Sequence, residues 1–218
     1  MKGDWWNTLK RRKVAKVKTK TNRSRQNVAL YGIQLRCSIG FMTTGSISGG
    51  VNPSNQSRLG KLGGTDFDFL FGTWRVHHRK LKHRLAGDTD WIQFEGEMTC
   101  WPTLGGLGNV DDNLLDDPSG AYRAMSLRCY DLQAGRWSIW WVDGRSIRLD
   151  PPVHGQFQDG LGTFQGEDTF AGKPILVRFL WSDITPQSAR WEQAFSDDGG
   201  VSWESNWVMI FERQDPRK

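Results

Sequence analysis

From Thr65 onward the apolar and polar positions follow a short rhythm. Runs rich in Trp, Phe, Val, Ile and Arg alternate with clusters of Gly, Asp and Pro. No long window carries a 3.6-residue apolar period, so strands rather than helices are expected. The runs predict strands at 74–84, 90–101, 121–131, 136–142, 153–158, 161–170, 174–183, 188–196 and 202–213. Asp66 to Phe71 (DFDFLF) predicts a short entry helix or turn. Gln133-Ala134-Gly135, Ala171-Gly172-Lys173 and Asp198-Gly199-Gly200 supply the residues tolerant of positive φ that tight hairpins need. About nine strands with short connections predict an all-β domain over residues 65–214, a single up-and-down antiparallel barrel.

Side chains alternate faces along a strand. In 174–183, Ile175, Val177, Phe179 and Trp181 share one face, and Leu176, Arg178, Leu180 and Ser182 share the other. In 188–196, Trp191 and Phe195 oppose Arg190 and Glu192; in 202–212, Trp203, Trp207, Met209 and Phe211 oppose Glu204, Asn206 and Ile210. Neither face is cleanly polar, whereas a small solid barrel shows one apolar and one solvated face. Mixed faces fit an interior with aromatic walls and a few polar groups, which is a ligand cavity. The competing reading is a barrel covered in part by loops or a partner subunit.

Ten of the twelve tryptophans lie after residue 73, more than a core of this size needs. Each brings a large apolar area and an N–H that wants a partner. The net charge of +5 averages two unlike regions. Residues 1–41 hold eleven Lys or Arg and one acid, Asp4, which leaves 18 basic and 23 acidic residues in the remainder. The domain is thus mildly acidic, and nucleic-acid binding through the barrel is excluded as its general role. The leader lacks the apolar core and cleavage site of a secretory signal, and an organelle transit peptide or a basic arm for nucleic acid or anionic lipid fits better. Residues 1–64, basic and then Gly/Ser-rich, are expected to be mostly disordered, with Met42 a possible alternative start. Cys37, Cys100 and Cys129 show no C-x-x-C spacing. They read as reduced thiols, the last two packed inside, in a cytoplasmic protein. No run approaches the roughly 20 apolar residues of a membrane-spanning helix.

Charges within aromatic strands must be paired or functional. Arg128 and Arg178 are candidates to clamp a ligand carboxylate or phenolate; for Arg190 and Glu192 a cross-strand pair is the plainer reading. His77 and His78 face opposite ways on the first strand, so one of them reaches the interior; His77 is the candidate carried forward. Their cationic neighbours Arg79, Lys80 and Lys82 suggest a basic outer surface. Four scattered histidines give no metal site, and no cofactor is called for. The stretch 105–113 (GGLGNVDDN) reads as a glycine-rich loop, suited to a barrel-mouth lid, and Asp111, Asp112, Asp116 and Asp117 as its solvated acids. Ser196 to Trp203 (SDDGGVSW) fits the Asp-box hairpin pattern of sialidase propellers, but a propeller needs repeats and none is visible. It reads as one well-made hairpin, with Asp198 folded onto the turn and Trp203 beneath.

The run Phe67-Asp68-Phe69-Leu70-Phe71-Gly72-Thr73-Trp74 resembles the opening signature FDFLxGxW of an uncharacterised bacterial family of lipocalin-like (calycin) domains. Residues 136–142 (RWSIWWV) and 189–207 also resemble its later strands, so the similarity spans about residues 65–214. The resemblance implies a barrel closed at one end by the entry segment, with Trp74 across the base, and implies no activity. Nitrobindin, a haem-binding calycin, is a more distant likeness; its glycine-rich opening is missing here, and no haem ligand is carried over. The expected function is binding of a small apolar or aromatic molecule between Trp140, Trp141 and Trp191, anchored by Arg128 or Arg178. The alternatives are a cofactor-free enzyme (isomerase, cyclase or hydrolase) with Glu192 or Asp143 as a base of raised pKa, and a homodimeric interaction domain that uses the surplus tryptophans as its face.

Overall fold

The computed structural model describes residues 63–214. A 3-10 turn at Asp68–Leu70 leads into eleven antiparallel strands. They are β1 (Gly72–Leu81), β2 (Trp91–Thr103), β3 (Gly108–Leu115), β4 (Tyr122–Asp131), β5 (Arg136–Asp143) and β6 (Arg148–Leu149). The remainder are β7 (Val153–Gln158), β8 (Leu161–Phe170), β9 (Lys173–Ser182), β10 (Ser188–Ser196) and β11 (Glu204–Arg213). Each strand pairs with its chain neighbour, β11 returns to β1, and β4–β5 completes the ring. Two-residue β6 clings to the upper half of β5, while β7 takes the lower half at Trp137, Ser138 and Ile139. The result is a closed, ten-strand, up-and-down barrel of lipocalin-like architecture.

The predicted strands survive with ends shifted by a few residues, and the nine become eleven. β6 is too short to carry a pattern. The other addition is a correction: the expected loop 105–113 contains strand β3, which pairs along its whole length with β2 and β4. The expectations for residues 1–62, including Met42 and Cys37, lie outside the described residues. Cys100 is buried as expected, but Cys129 is only half-buried on the outer face, and among the described residues neither forms a disulfide.

Hairpin geometry follows local chemistry. β7–β8 and β8–β9 are joined by two-residue turns, Asp159-Gly160 and Ala171-Gly172, in which both residues have positive φ; this twist matches that of the flanking strands. At Gly155 a Cβ would meet the Thr163 carbonyl oxygen at 1.9 Å, so only glycine lets β7 and β8 approach so closely. The Asp-box segment folds as one hairpin: the Asp198 carboxylate accepts from Ser196 Oγ, Ser202 N and Ser202 Oγ, and Trp203 Nε1 donates to Gly200 O.

One end of the barrel is plugged. Phe67 and Leu70 insert fully buried, and Phe67 meets Trp137 and Phe157 edge-on at 4.9 Å. Trp74 Nε1 donates to Leu70 O at 2.8 Å, and Trp137 Nε1 to Gly63 O at 3.0 Å. From the last strand, Arg213 donates to Phe71 O and Phe69 O at 2.6 Å each and lies 4.1 Å over the Trp74 ring. First and last strands therefore both hold the entry turn against the base. Every indole N–H placed there at a carbonyl gains a partner that burial would otherwise deny it.

Candidate functional site

Above the plug the barrel stays open, with a cavity of about 320 Å³, near the lower end of the range for small-molecule sites. Every strand contributes to its lining, and the indoles come from β5 and β9–β11. Trp207 is central: Trp191 lies 5.7 Å and Trp141 6.1 Å from it, both at 85°. Phe179 stacks edge-on to Trp191 at 4.9 Å. Trp141 and Trp191 each stand perpendicular to Trp207, an indole box suited to flat rings.

Trp207 is fixed from behind by His78. Its Nε1 donates to His78 Nδ1 at 3.2 Å, and the imidazole stacks on Phe94 at 4.6 Å and 8°. The proton of the neutral ring then sits on Nε2, over Gly96, where any Cβ would lie 2.7 Å from that nitrogen. Burial, and then the nearby Lys80 charge, push the His78 pKa down to about 3.

A polar cluster enters the same interior from β3 and β4. Arg128 Nη2 meets Asp111 Oδ2 at 2.6 Å, and Nη1 donates to Asn109 Oδ1 at 2.9 Å. The second Asp111 oxygen accepts from Asn113 Nδ2 at 2.6 Å and Ser126 N at 2.7 Å. This pair is almost wholly shielded from solvent, and its lone pairs are nearly saturated, which is the condition for a buried ion pair to persist. Two donors are left over: Arg128 Nε and Trp181 Nε1 are buried in the cavity lining without a hydrogen-bond partner among the described residues. The guanidinium lies 5.9 Å from the Trp181 ring centre. Burial also pushes the thiol of Cys100, beside Asn109, up to about 12, so it is inert.

The sequence candidates separate by strand parity. Trp141, Trp191 and Arg128 line the cavity together, with Asp143 at its mouth. Trp140, Arg178, His77 and Glu192 lie on the outer face. Arg178 covers the Trp203 ring at 4.3 Å, His77 Nδ1 pairs with Glu95 at 2.8 Å, and Glu192 pairs with Arg190. Asp143 is bound by Arg145 at 2.6 Å, and that contact lowers its pKa, opposite to what a general base in an apolar pocket requires. Of the expected basic outer surface, Arg79 and Lys82 are exposed, whereas Lys80, like His78, points inward, and Arg84, just beyond β1, reaches the mouth. Sequence reasoning missed Asp111, Asn113, Trp207, Lys80 and Arg84. For β3 the missed signal is the alternation Asn109, Asp111, Asn113, Leu115.

No protein-family model matches the chain, and no curated protein matches it. The solved structures similar to it include the S-type phycobiliprotein lyase CPES from Guillardia theta, at 10% identity and a TM-score of 0.49, covering 72% of this chain and 98% of that one. At that distance no residue role passes from one to the other. Among the described residues no helix is long and apolar enough to cross a membrane, and no group of three or more His, Cys, Asp or Glu converges as a metal site.

Asp111→Ala leaves Arg128 charged and buried without its partner, and is expected to cost about 3–5 kcal/mol of folding stability, whereas the double change Asp111→Leu with Arg128→Met recovers most of the loss. Chemical denaturation of the two variants measures this; equal losses would contradict the pairing. For His78 the folded pKa lies below the unfolded 6.5, so its contribution is complete above pH 6.5 and is lost as pH falls toward 3. Between pH 7 and 5 the protein should lose about 2 kcal/mol more stability than His78→Gln. His77, raised by its Glu95 bond, is common to both proteins. Parallel pH profiles would contradict the buried neutral imidazole.

Proposed function

We propose that the barrel binds a small, largely aromatic molecule between Trp141, Trp191 and Trp207, with a hydrogen-bond acceptor directed at Arg128. The observation that carries this reading is the set of indoles around a hollow of about 320 Å³, Trp141 and Trp191 each edge-on to Trp207, with Arg128 in the same lining. Cys100 and Cys129 form no disulfide among the described residues, which fits a reducing, cytoplasmic setting.

The alternatives gain less support. Neither proposed base suits catalysis in the cavity, since Glu192 is outside it and Asp143 is held ionised by Arg145. A tryptophan-faced homodimer lacks its face: of the ten tryptophans after residue 73, only Trp101 is substantially exposed, at 46%. Trp91 and Trp203 lie under the guanidinium groups of Arg79 and Arg178.

Titration of the full chain with the neutral fluorophore N-phenyl-1-naphthylamine tests the reading. One saturable site is expected, weakened at least about tenfold by Trp141→Ala and changed less than about twofold by Trp140→Ala. Absence of saturable binding, or equal effects of the two substitutions, would overturn it.

A further inference from the structure

Five cations line the cavity: Lys80, Arg84, Arg128, Arg145 and Arg148. Two have a close carboxylate of their own, Asp111 for Arg128 and Asp143 for Arg145, at 2.6 Å each, and Arg148 is largely exposed to solvent with Asp150 at 3.7 Å. Lys80 and Arg84 are different. The Lys80 ammonium lies 4.6 Å over the Trp207 ring, and its acid contact is a loose 3.7 Å to Asp117 Oδ2. The other Asp117 oxygen is taken by Ser119 N and Oγ at 2.9 and 2.6 Å. Arg84 lies 5.5 Å over Phe195 and 5.7 Å over Trp207, and among the described residues no carboxylate comes within 4 Å of it. Glu204, the acid nearest in influence, turns its carboxylate to the backbone N–H of Leu85 at 2.8 and 2.9 Å.

Two neighbouring cations at one aromatic wall, one of them without a counter-ion, oppose folding. Desolvation costs each of them, and each repels the other. Both pKa values are accordingly lowered, by burial first and then, for Lys80, by the Arg84 charge, which brings Lys80 to about 8. The other charges facing Lys80 are Arg145, Asp143 and Asp117, which include two acids but do not restore its usual value. The wall is therefore short of negative charge at one spot, and that spot adjoins the indole box through Trp207.

We propose that Lys80 and Arg84 form an anion-binding subsite at the cavity mouth, and that the preferred ligand is an aromatic acid. Its ring lies among Trp141, Trp191 and Trp207 and its acidic group sits on the two cations. This rests on the binding function proposed above and adds the ligand's charge and orientation. Carboxylate, sulfonate and phosphate share the needed chemistry, a compact anion that accepts hydrogen bonds from an ammonium and a guanidinium.

The test uses the full chain and two fluorophores with the same anilinonaphthalene body, neutral N-phenyl-1-naphthylamine and anionic 8-anilinonaphthalene-1-sulfonate. At pH 7 the sulfonate should bind at least about tenfold tighter than the neutral probe, as charge-assisted hydrogen bonds predict. Arg84→Gln should reduce the sulfonate's advantage over the neutral probe to less than about twofold. In the unsubstituted protein the preference should shrink between pH 7 and 9.5, as Lys80 loses its charge and Arg84 keeps its own; this series decides the matter should the variant fail to fold. Equal binding of the two probes, or a preference untouched by Arg84→Gln, overturns the anion subsite and leaves the cavity function standing. Failure of both probes to bind overturns both.

Discussion

A closed ring of ten strands is wider than its own inward side chains can fill. Eight strands enclose a space that one layer of side chains occupies; each added strand enlarges it. This chain meets the excess in two ways. At the base the excess is taken up by chain, since Phe67 and Leu70 enter from the 3-10 turn and are held there by Trp74 and Arg213. Toward the mouth no segment enters among the described residues, and the excess remains as the cavity.

That division explains where polar groups are tolerated. Near the plug, indole N–H groups find backbone carbonyls. Higher up, Arg128 and Asp111 satisfy one another through side chains of adjacent strands, with Asn109, Asn113 and Ser126 N completing the cluster. A solid apolar interior of the same volume would be as stable or more so, so the cluster is better understood as a polar floor for a chamber than as a device for stability. Cations and carboxylates both reach the chamber's lining, and Lys80 and Arg84 among them both lie over the Trp207 ring.

Much of this was legible in the residues. Short runs and turn dipeptides carried the barrel, and parity sorted β9–β11 into two faces without telling which one looks inward, so Arg178 and Glu192 were drawn from the outer one. The same rule could have separated Trp140 from Trp141, Glu192 from Trp191 and His77 from His78, because adjacent strand residues cannot share an interior. Strand β3 was hidden for a different reason. Its inward positions are Asn109, Asp111 and Asn113, so a strand facing the core looks like a solvated loop when polarity alone is read. The pairing of Asp111 with Arg128 then depends on register between strands, which composition does not encode. Arg84 lay beyond the reach of sequence altogether, since its position follows from Leu85 at positive φ, pinned by Glu204 from the far end of the chain.

The claim beneath all of this is that the upper half of the barrel is hollow and walled by indoles. Diffraction from a crystal of the full chain pressurised with xenon tests it most directly, because xenon enters apolar space that side chains leave empty. Anomalous density among Trp141, Trp191 and Trp207 is the predicted result. A middle filled by those same side chains, with no xenon inside the ring, would contradict the account.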